Sequence, residues 1–116
     1  MTIQLCMIDS TAFAGPLQNV LALMAPDIHC TCFVSMPKNP EDFDIILVTG
    51  AMGHGASSIK DMRKNGLQIP IIGMSVSPWR KGSMILAGAD AFWSKSGRHE
   101  DVKILVALIQ ELTHPS

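Results

Sequence analysis

The sequence predicts a doubly wound α/β fold built on one parallel sheet of five strands in the order 2-1-3-4-5. Five short apolar runs alternate with longer amphipathic stretches, a pattern typical of parallel strands joined by right-handed helical crossovers. The runs are apolar at consecutive positions, as expected for strands covered by helices on both faces. A length of 116 residues is the usual size of a single core, so we expect one domain over residues 1–116.

The first half of the chain predicts two strands around one helix. Residues 3–8 and 28–34 are apolar runs of strand length that are bounded by turn residues. The helix between them ends near Met24, and Pro16 makes it start late or kink. Its inward-facing residues repeat at helical spacing and are Leu17, Val20, Leu21 and Met24.

The second half predicts three more strands and three more helices. Two prolines within residues 35–42 leave room for at most one helical turn there, so the second helix of this fold is shortened or absent. Our hypothesis is that this gap exposes the sheet edge at residues 28–34 for pairing. The remaining strands are residues 43–48, 69–74 and 91–94, and the helices are residues 56–65 (stopped by Gly66), 78–87 and 99–112.

Composition and charge exclude several classes of protein. Hydrophobic residues make up 47% of the chain and charged residues 16%, which excludes intrinsic disorder. Nine basic residues against ten acidic ones leave a net charge of −1, so there is no polybasic surface for nucleic acid or anionic lipid. No apolar run approaches the roughly 18 residues of a membrane helix. The N-terminus also lacks a signal-peptide pattern, and we expect a cytoplasmic protein.

The three cysteines are predicted to be reduced, structural thiols. In a strand, Cys30 and Cys32 point to one face while His29 points to the other, so the His29-Cys30-Thr31-Cys32 cluster does not converge on one ion. No second Cys/His cluster supplies further ligands for a tetrahedral zinc site. Burial of Cys6, Cys30 and Cys32 in the core is the interpretation we favour over metal binding.

Polar residues follow the predicted strands at their carboxyl ends, where doubly wound folds place their working site. These strand ends resemble those of the response-regulator receiver domain, the CheY-like family, over essentially the whole chain. The last two matching segments, one ending in Ser75 and one running from Gly88-Ala89-Asp90 to Lys95, are the more specific ones. The four matching segments are residues 5–10, 43–49, 69–75 and 88–95.

The resemblance implies two acidic residues that help hold Mg²⁺ and one Asp that accepts a phosphoryl group. Asp9 keeps the first acid, whereas Ser10 replaces the second and Thr49 replaces the acceptor. A threonine hydroxyl is a poor nucleophile without a general base, and it cannot form an acyl phosphate. We therefore predict an atypical receiver, or pseudo-receiver, without a cofactor, whose vestigial phosphorylation site is formed by Asp9, Ser10, Thr49, Ser75 and Lys95.

The resemblance also assigns roles to residues around this site. The family roles of Ser75 and Lys95, which hydrogen-bond and charge-pair with the phosphoryl group, would be idle here, and an ion pair between Lys95 and Asp9 is the simpler alternative. Phe92 stands at the position of the family's aromatic switch, where we favour packing. The candidates for a partner-binding surface are Trp79, Phe92 and Trp93, with core or edge packing as the alternative for the two tryptophans.

The glycine-rich loop at residues 49–55 follows a strand and precedes a helix. Its glycines run G-x-x-G-x-G and not G-x-G-x-x-G, and no Walker-type lysine follows, so it is a poor match to a nucleotide-binding loop. It retains the capacity of a helix N-terminus to bind a small anion. His54 could form a Thr–His–Asp arrangement with Thr49 and Asp9, but a solvated loop histidine is the interpretation we favour.

The predicted function is phosphorylation-independent signalling by a receiver-like domain that is not an enzyme. Its expected partner is a histidine kinase, a phosphotransfer protein or another receiver, including a homodimer formed through the helix after Pro78 and the fifth strand. One alternative is a conventional phosphorelay regulator with a non-standard acceptor. Another is a flavodoxin-like binder of a small molecule or nucleotide that uses the loop at residues 49–55.

Overall fold

The computed structural model describes residues 2–9, 14–49, 55–94 and 99–114. It contains a five-stranded parallel sheet in the order β2-β1-β3-β4-β5, so the predicted fold class and strand order are confirmed. The strands are β1 (Ile3–Ile8), β2 (Ile28–Phe33), β3 (Ile45–Thr49), β4 (Ile71–Ser75) and β5 (Ala91–Ser94). The α-helices in the described ranges are α1 (Ala14–Met24), α2 (Gly55–Lys64), α3 (Lys81–Ala87) and α4 (His99–Thr113).

Two predicted strand starts lie earlier than the observed ones. β3 begins at Ile45, and Asp44 just before it bonds Gln4 twice: its backbone N–H donates to the Gln4 carbonyl at 2.9 Å, and its carboxylate accepts the Gln4 N–H at 2.7 Å. Phe43 packs edge-on against Phe33 instead, with 5.8 Å between the ring centroids. β4 begins at Ile71, immediately after Pro70, which has no N–H to contribute to a ladder.

The sheet separates two hydrophobic cores, as the doubly apolar strands predict. Alternate residues of β1 face opposite sides, so Leu5 and Met7 lie in one core while Cys6 and Ile8 lie in the other. The first core is closed by α1 and α4, and the second by α2 and α3. The inward faces predicted for the first and last helices are confirmed by the burial of Leu17, Leu21, Val102, Leu105 and Ile109.

The connection between β2 and β3 is described throughout and contains a single 3-10 turn at Pro40–Asp42. This confirms that the second helix of the fold is reduced to one turn at most. Among the described elements no helix covers one face of β2, and His29 and Thr31 are exposed on that face.

Two of the described glycines have the positive φ that favours glycine. Gly66 (φ 90°) ends α2, where its N–H donates to the Arg63 carbonyl and the Leu67 N–H donates to the Met62 carbonyl, both at 3.0 Å. The predicted stop at Gly66 is therefore confirmed. Gly88 (φ 122°) ends α3 in a similar way, because its N–H donates a hydrogen bond to the Ile85 carbonyl.

Gly88→Ala is expected to lower the free energy of unfolding by about 2 kcal/mol, because it combines backbone strain with a steric clash. A Cβ at this position would lie 2.6 Å from Cγ of Arg63. Gly82→Ala is the matched control, since a Cβ at Gly82 in α3 would meet no atom within 4 Å, and alanine favours the helix by about 0.5–1 kcal/mol. Urea denaturation measures both changes. Equal stability of the two variants would contradict the strain at Gly88.

The segment Gly88-Ala89-Asp90, part of the motif that resembles the receiver family, has a structural role in this chain. The Arg63 guanidinium on α2 donates to the Gly88 carbonyl at 3.0 Å and pairs with the Asp90 carboxylate at 2.8 Å. Asp90 also accepts the backbone N–H of Ile71 at 2.9 Å, which fastens the start of β4. The segment thus ties α2, β4 and β5 together at the end of the sheet opposite the candidate site.

Candidate functional site

Three of the five predicted site residues lie side by side at the carboxyl end of the sheet. Asp9 directly follows β1, and the pairing of Ile8 with Val48 sets Asp9 next to Thr49 on the neighbouring strand. Thr49 in turn pairs with Met74, so Ser75 lies one residue further along β4. Because the strands are parallel, this end of the sheet gathers all three side chains.

Asp9 contributes a buried carboxylate to this end of the sheet. The residue is 3% exposed, and its backbone N–H donates to the Phe33 carbonyl at 2.9 Å, which extends the β1–β2 ladder. The Cys32 thiol on β2 is close enough to Asp9 to interact with it electrostatically. Burial raises the pKa of that thiol, and the negative charge of Asp9 adds to the increase.

Ser75 is 4% exposed and its hydroxyl supports the local backbone. The Oγ atom accepts the N–H of Ser77 at 3.0 Å, a short-range bond that shapes the turn before Pro78. The hydroxyl hydrogen is still able to donate to another acceptor, because an oxygen that accepts one bond keeps its own O–H.

These three side chains carry different functional groups. Asp9 is the one carboxylate among them, while Thr49 and Ser75 offer neutral hydroxyls. Mg²⁺ prefers several oxygen ligands with compensating negative charge, and an acyl phosphate requires a carboxylate acceptor. Across the described ranges, no group of three or more His, Cys, Asp or Glu side chains could hold a metal ion.

Several predicted site residues lie outside the described residues. These are Ser10, Lys95, and the loop at residues 50–54 with His54. The proposed ion pair between Lys95 and Asp9 and the Thr–His–Asp alternative both depend on them, so both stay predictions.

The two tryptophans have opposite environments, although the sequence analysis gives the same alternatives for both. Trp79 is 74% exposed, and the Arg80 guanidinium lies 4.7 Å from its ring centroid. Trp93 is 2% exposed in the α1/α4 core, and its indole N–H donates to the Asp101 carbonyl at 2.6 Å. Core packing, which was one of the two alternatives for Trp93, is therefore confirmed. Phe92 is partly buried and packs against the α2/α3 core.

Sequence reasoning missed two exposed apolar residues that lie near Trp79 in the chain. Val76 is 67% exposed and Leu86 is 90% exposed, and both lie within a dozen residues of Trp79. The signal for Leu86 was available, because it lies two residues beyond the buried Met84 and so on the opposite side of α3. Arg63 was also missed, since two of its partners, Gly88 and Asp90, lie 25 and 27 residues away in the chain.

The three cysteines are free thiols held in or beside the core. Burial raises the pKa of Cys6 to about 12, and burial together with the neighbouring Cys32 raises the pKa of Cys30. These thiols stay protonated at neutral pH, which makes them poor nucleophiles and poor metal ligands. Cys30 and Cys32 pack against the α1/α4 core while His29 is exposed, consistent with the predicted alternation.

Comparison with solved structures identifies receiver domains as structural neighbours. The chain matches the receiver domain of the Francisella response regulator 1452 over 97% of both chains, with a TM-score of 0.79 and 19% identity. It matches the response regulator domain of Thermotoga maritima CheB over 100% of this chain and 99% of that one, with a TM-score of 0.79 and 18% identity. At these identities the similarity establishes the fold.

A further neighbour is an atypical orphan response regulator, whose structure revealed a new phosphorylation-independent regulatory mechanism in that protein. It is 17% identical, with a TM-score of 0.73 over 96% of this chain and 95% of that one. No protein-family model matches this chain, and no curated protein is significantly similar to it. No helix in the described part of the chain is long and apolar enough to cross a membrane.

Proposed function

We propose that this chain is a receiver-type signalling domain that acts by phosphorylation-independent protein–protein interaction and performs no catalysis of its own. The observation that carries the proposal is Thr49, which ends β3 beside Asp9 and Ser75, where the resemblance places the phosphoacceptor Asp. A hydroxyl at this position cannot form the acyl phosphate on which switching of a receiver depends.

Two further observations support the proposal. The site has lost its second acid as well, because Ser10 stands there, so Mg²⁺ would have Asp9 as its one carboxylate from the family's set. The atypical orphan regulator of similar fold is an example of phosphorylation-independent regulation in that protein. We infer that residues 1–116 work as one such domain without a cofactor.

The proposed partner is a histidine kinase, a phosphotransfer protein or another receiver, and the proposed contact is made by the exposed apolar side chains of Val76, Trp79 and Leu86. Large exposed apolar side chains next to a tryptophan are typical of protein-binding surfaces. Arg80, stacked on Trp79, adds a cation that favours an acidic partner surface.

Titration of the protein with Mg²⁺ and then with beryllofluoride or acetyl phosphate tests this function, with amide NMR as the readout. We expect the amide resonances of Asp9, Thr49 and Ser75 to stay unchanged. Saturable shifts at these residues would overturn the proposal, because the domain would then sense phosphoryl chemistry.

The double variant S10D/T49D is the matched control, since it restores the two missing acids. We expect it to gain saturable Mg²⁺ shifts and about 1.4 kcal/mol of stability at a Mg²⁺ concentration ten times its Kd. If the double variant also shows no amide shifts with Mg²⁺, loss of the two acids does not explain the lack of shifts in the natural chain. The comparison with a receiver site then fails.

A further inference from the structure

A cavity of about 640 Å³ lies between the β2–β3 connection and the C-terminal half of α2. Small-molecule sites in proteins usually have volumes of about 300–1,000 Å³. The connection forms one wall, and its single 3-10 turn, Pro40–Asp42, fills less of this layer than a longer helix would. The other wall consists of α2 and the turn that follows it. The reduced second helix therefore coincides with a space large enough for an organic ligand.

Apolar side chains from both walls line the cavity. Met36, Pro37 and Pro40 come from the connection, while Met62 and Leu67 come from α2 and the turn after it. Met62 is 4% exposed and belongs to the α2/α3 core, which fixes this part of the wall. Met36 is 40% exposed, so its thioether is accessible from solvent. Methionine sulfur packs favourably against aromatic rings, and the cavity therefore suits a ligand with an apolar, aromatic body.

Three charged side chains also line the cavity, and two of them are acidic. Glu41 and Lys38 belong to the connection, and Asp61 belongs to α2. All three are exposed, and within the described ranges no hydrogen bond or ion pair occupies their side chains. Two carboxylates against one ammonium give the lining a net charge of −1, which attracts a cation more strongly than an anion. Arg63 and Lys64, the basic residues of the last turn of α2, are not lining residues.

We propose that this cavity binds a small amphipathic amine, which is an organic cation with an apolar body. The body contacts Met36 and Met62, and the ammonium group is attracted by the carboxylates of Glu41 and Asp61, which belong to opposite walls. Selectivity for amines over carboxylic acids follows from the excess of carboxylates in the lining. The cavity shares no residue with the candidate site or with the proposed partner contact, so the inference is independent of the proposed function.

Two probes of matched shape and opposite charge test the proposal, with amide NMR of the full chain as the readout. Phenethylamine carries an ammonium group on an aromatic body, and 3-phenylpropionate carries a carboxylate on the same body. We expect saturable shifts with phenethylamine at amides within residues 36–41 and 58–67, and a Kd about fivefold higher for 3-phenylpropionate. Methylamine, which lacks the apolar body, should give no saturation over the same concentration range.

Charge variants of the lining residues should change the Kd of phenethylamine in opposite directions. Asp61→Asn should raise it about threefold, because the amide keeps the size of the side chain and removes one negative charge. Lys38→Met should lower it, because a like charge is removed while the length of the side chain is kept. General disturbance of the cavity would weaken binding in both variants. Glu111→Gln, on the exposed face of α4 across the sheet, is the matched control and should leave the Kd unchanged.

Any one of three results contradicts this site. The first is a natural chain whose amides show no saturable shift at the highest soluble concentration of phenethylamine. The second is an equal Kd for phenethylamine and 3-phenylpropionate, since the charge of the lining then selects nothing. The third is binding that both Asp61→Asn and Lys38→Met leave unchanged, which would assign the amine to another surface, such as that around Trp79.

Discussion

Replacing Trp93 with alanine is expected to lower the free energy of unfolding by about 4 kcal/mol, the largest effect we predict for one substitution. The side chain is 2% exposed and fills the α1/α4 core. Its removal leaves a cavity lined by apolar side chains, and it also leaves the Asp101 carbonyl without the indole N–H that lies 2.6 Å away. Both losses act in the folded state, so urea denaturation followed by far-UV circular dichroism measures their sum.

Trp79→Ala is the matched control for this prediction, because the same residue type is removed from an exposed position. We expect a change of no more than about 0.5 kcal/mol. Trp93→Phe should fall between the two, because it keeps much of the volume and loses the hydrogen bond. If Trp79→Ala and Trp93→Ala destabilise the protein equally, the assignment of Trp93 to the core is wrong. The same Trp79 variant should weaken partner binding while leaving the fold intact.

Arg63→Ala is expected to lower the free energy of unfolding by about 3 kcal/mol. The guanidinium donates to the carbonyls of Gly88, Leu67 and Ile69 at 2.8–3.0 Å, in addition to its pair with Asp90. The side chains of Arg63 and Asp90 are 25% and 43% exposed, so solvent weakens the ion pair itself. Most of the effect comes from the three carbonyls that would lose their donor.

Lys64→Ala is the control for this second prediction, since Lys64 is an exposed cation one residue further along α2. It should change stability by no more than about 0.5 kcal/mol. Arg63→Lys should recover less than half of the loss, because an ammonium group lacks the planar fork that reaches several carbonyls at once. A thermal shift assay with all three variants separates these cases. Full recovery with lysine would mean that charge alone matters at this position.

Local sequence patterns predicted most of the fold, because strand and helix periodicity is a property of neighbouring residues. The β1 and β5 boundaries, the reduced second helix and the stop at Gly66 all follow from apolar runs, prolines and glycine. The strand starts at Ile45 and Ile71 could not be predicted in this way. The Asp44 carboxylate accepts the backbone N–H of Gln4, which is 40 residues away, and that contact has no local signature.

The grouping of the candidate site residues was also predictable from the strand pattern. Parallel strands end at one edge of the sheet, so a strand pattern with polar ends is sufficient to bring Asp9, Thr49 and Ser75 together. The side-chain bond from the Ser77 N–H to Ser75 depends on the path of the turn, which apolar periodicity does not specify.

By itself the sequence determined the alternation of strands and helices and the hydroxyl, in place of a carboxylate, at Thr49, since each depends on residue type and local periodicity. Only the tertiary structure decided which tryptophan is buried and which arginine joins α2 to the Gly88-Ala89-Asp90 segment. A four-residue strand such as β5 has too few alternations to show which of its side chains enters which core. The environments of Trp93 and Arg63 are set by residues distant in the chain, and the packing of whole elements brings those residues into contact.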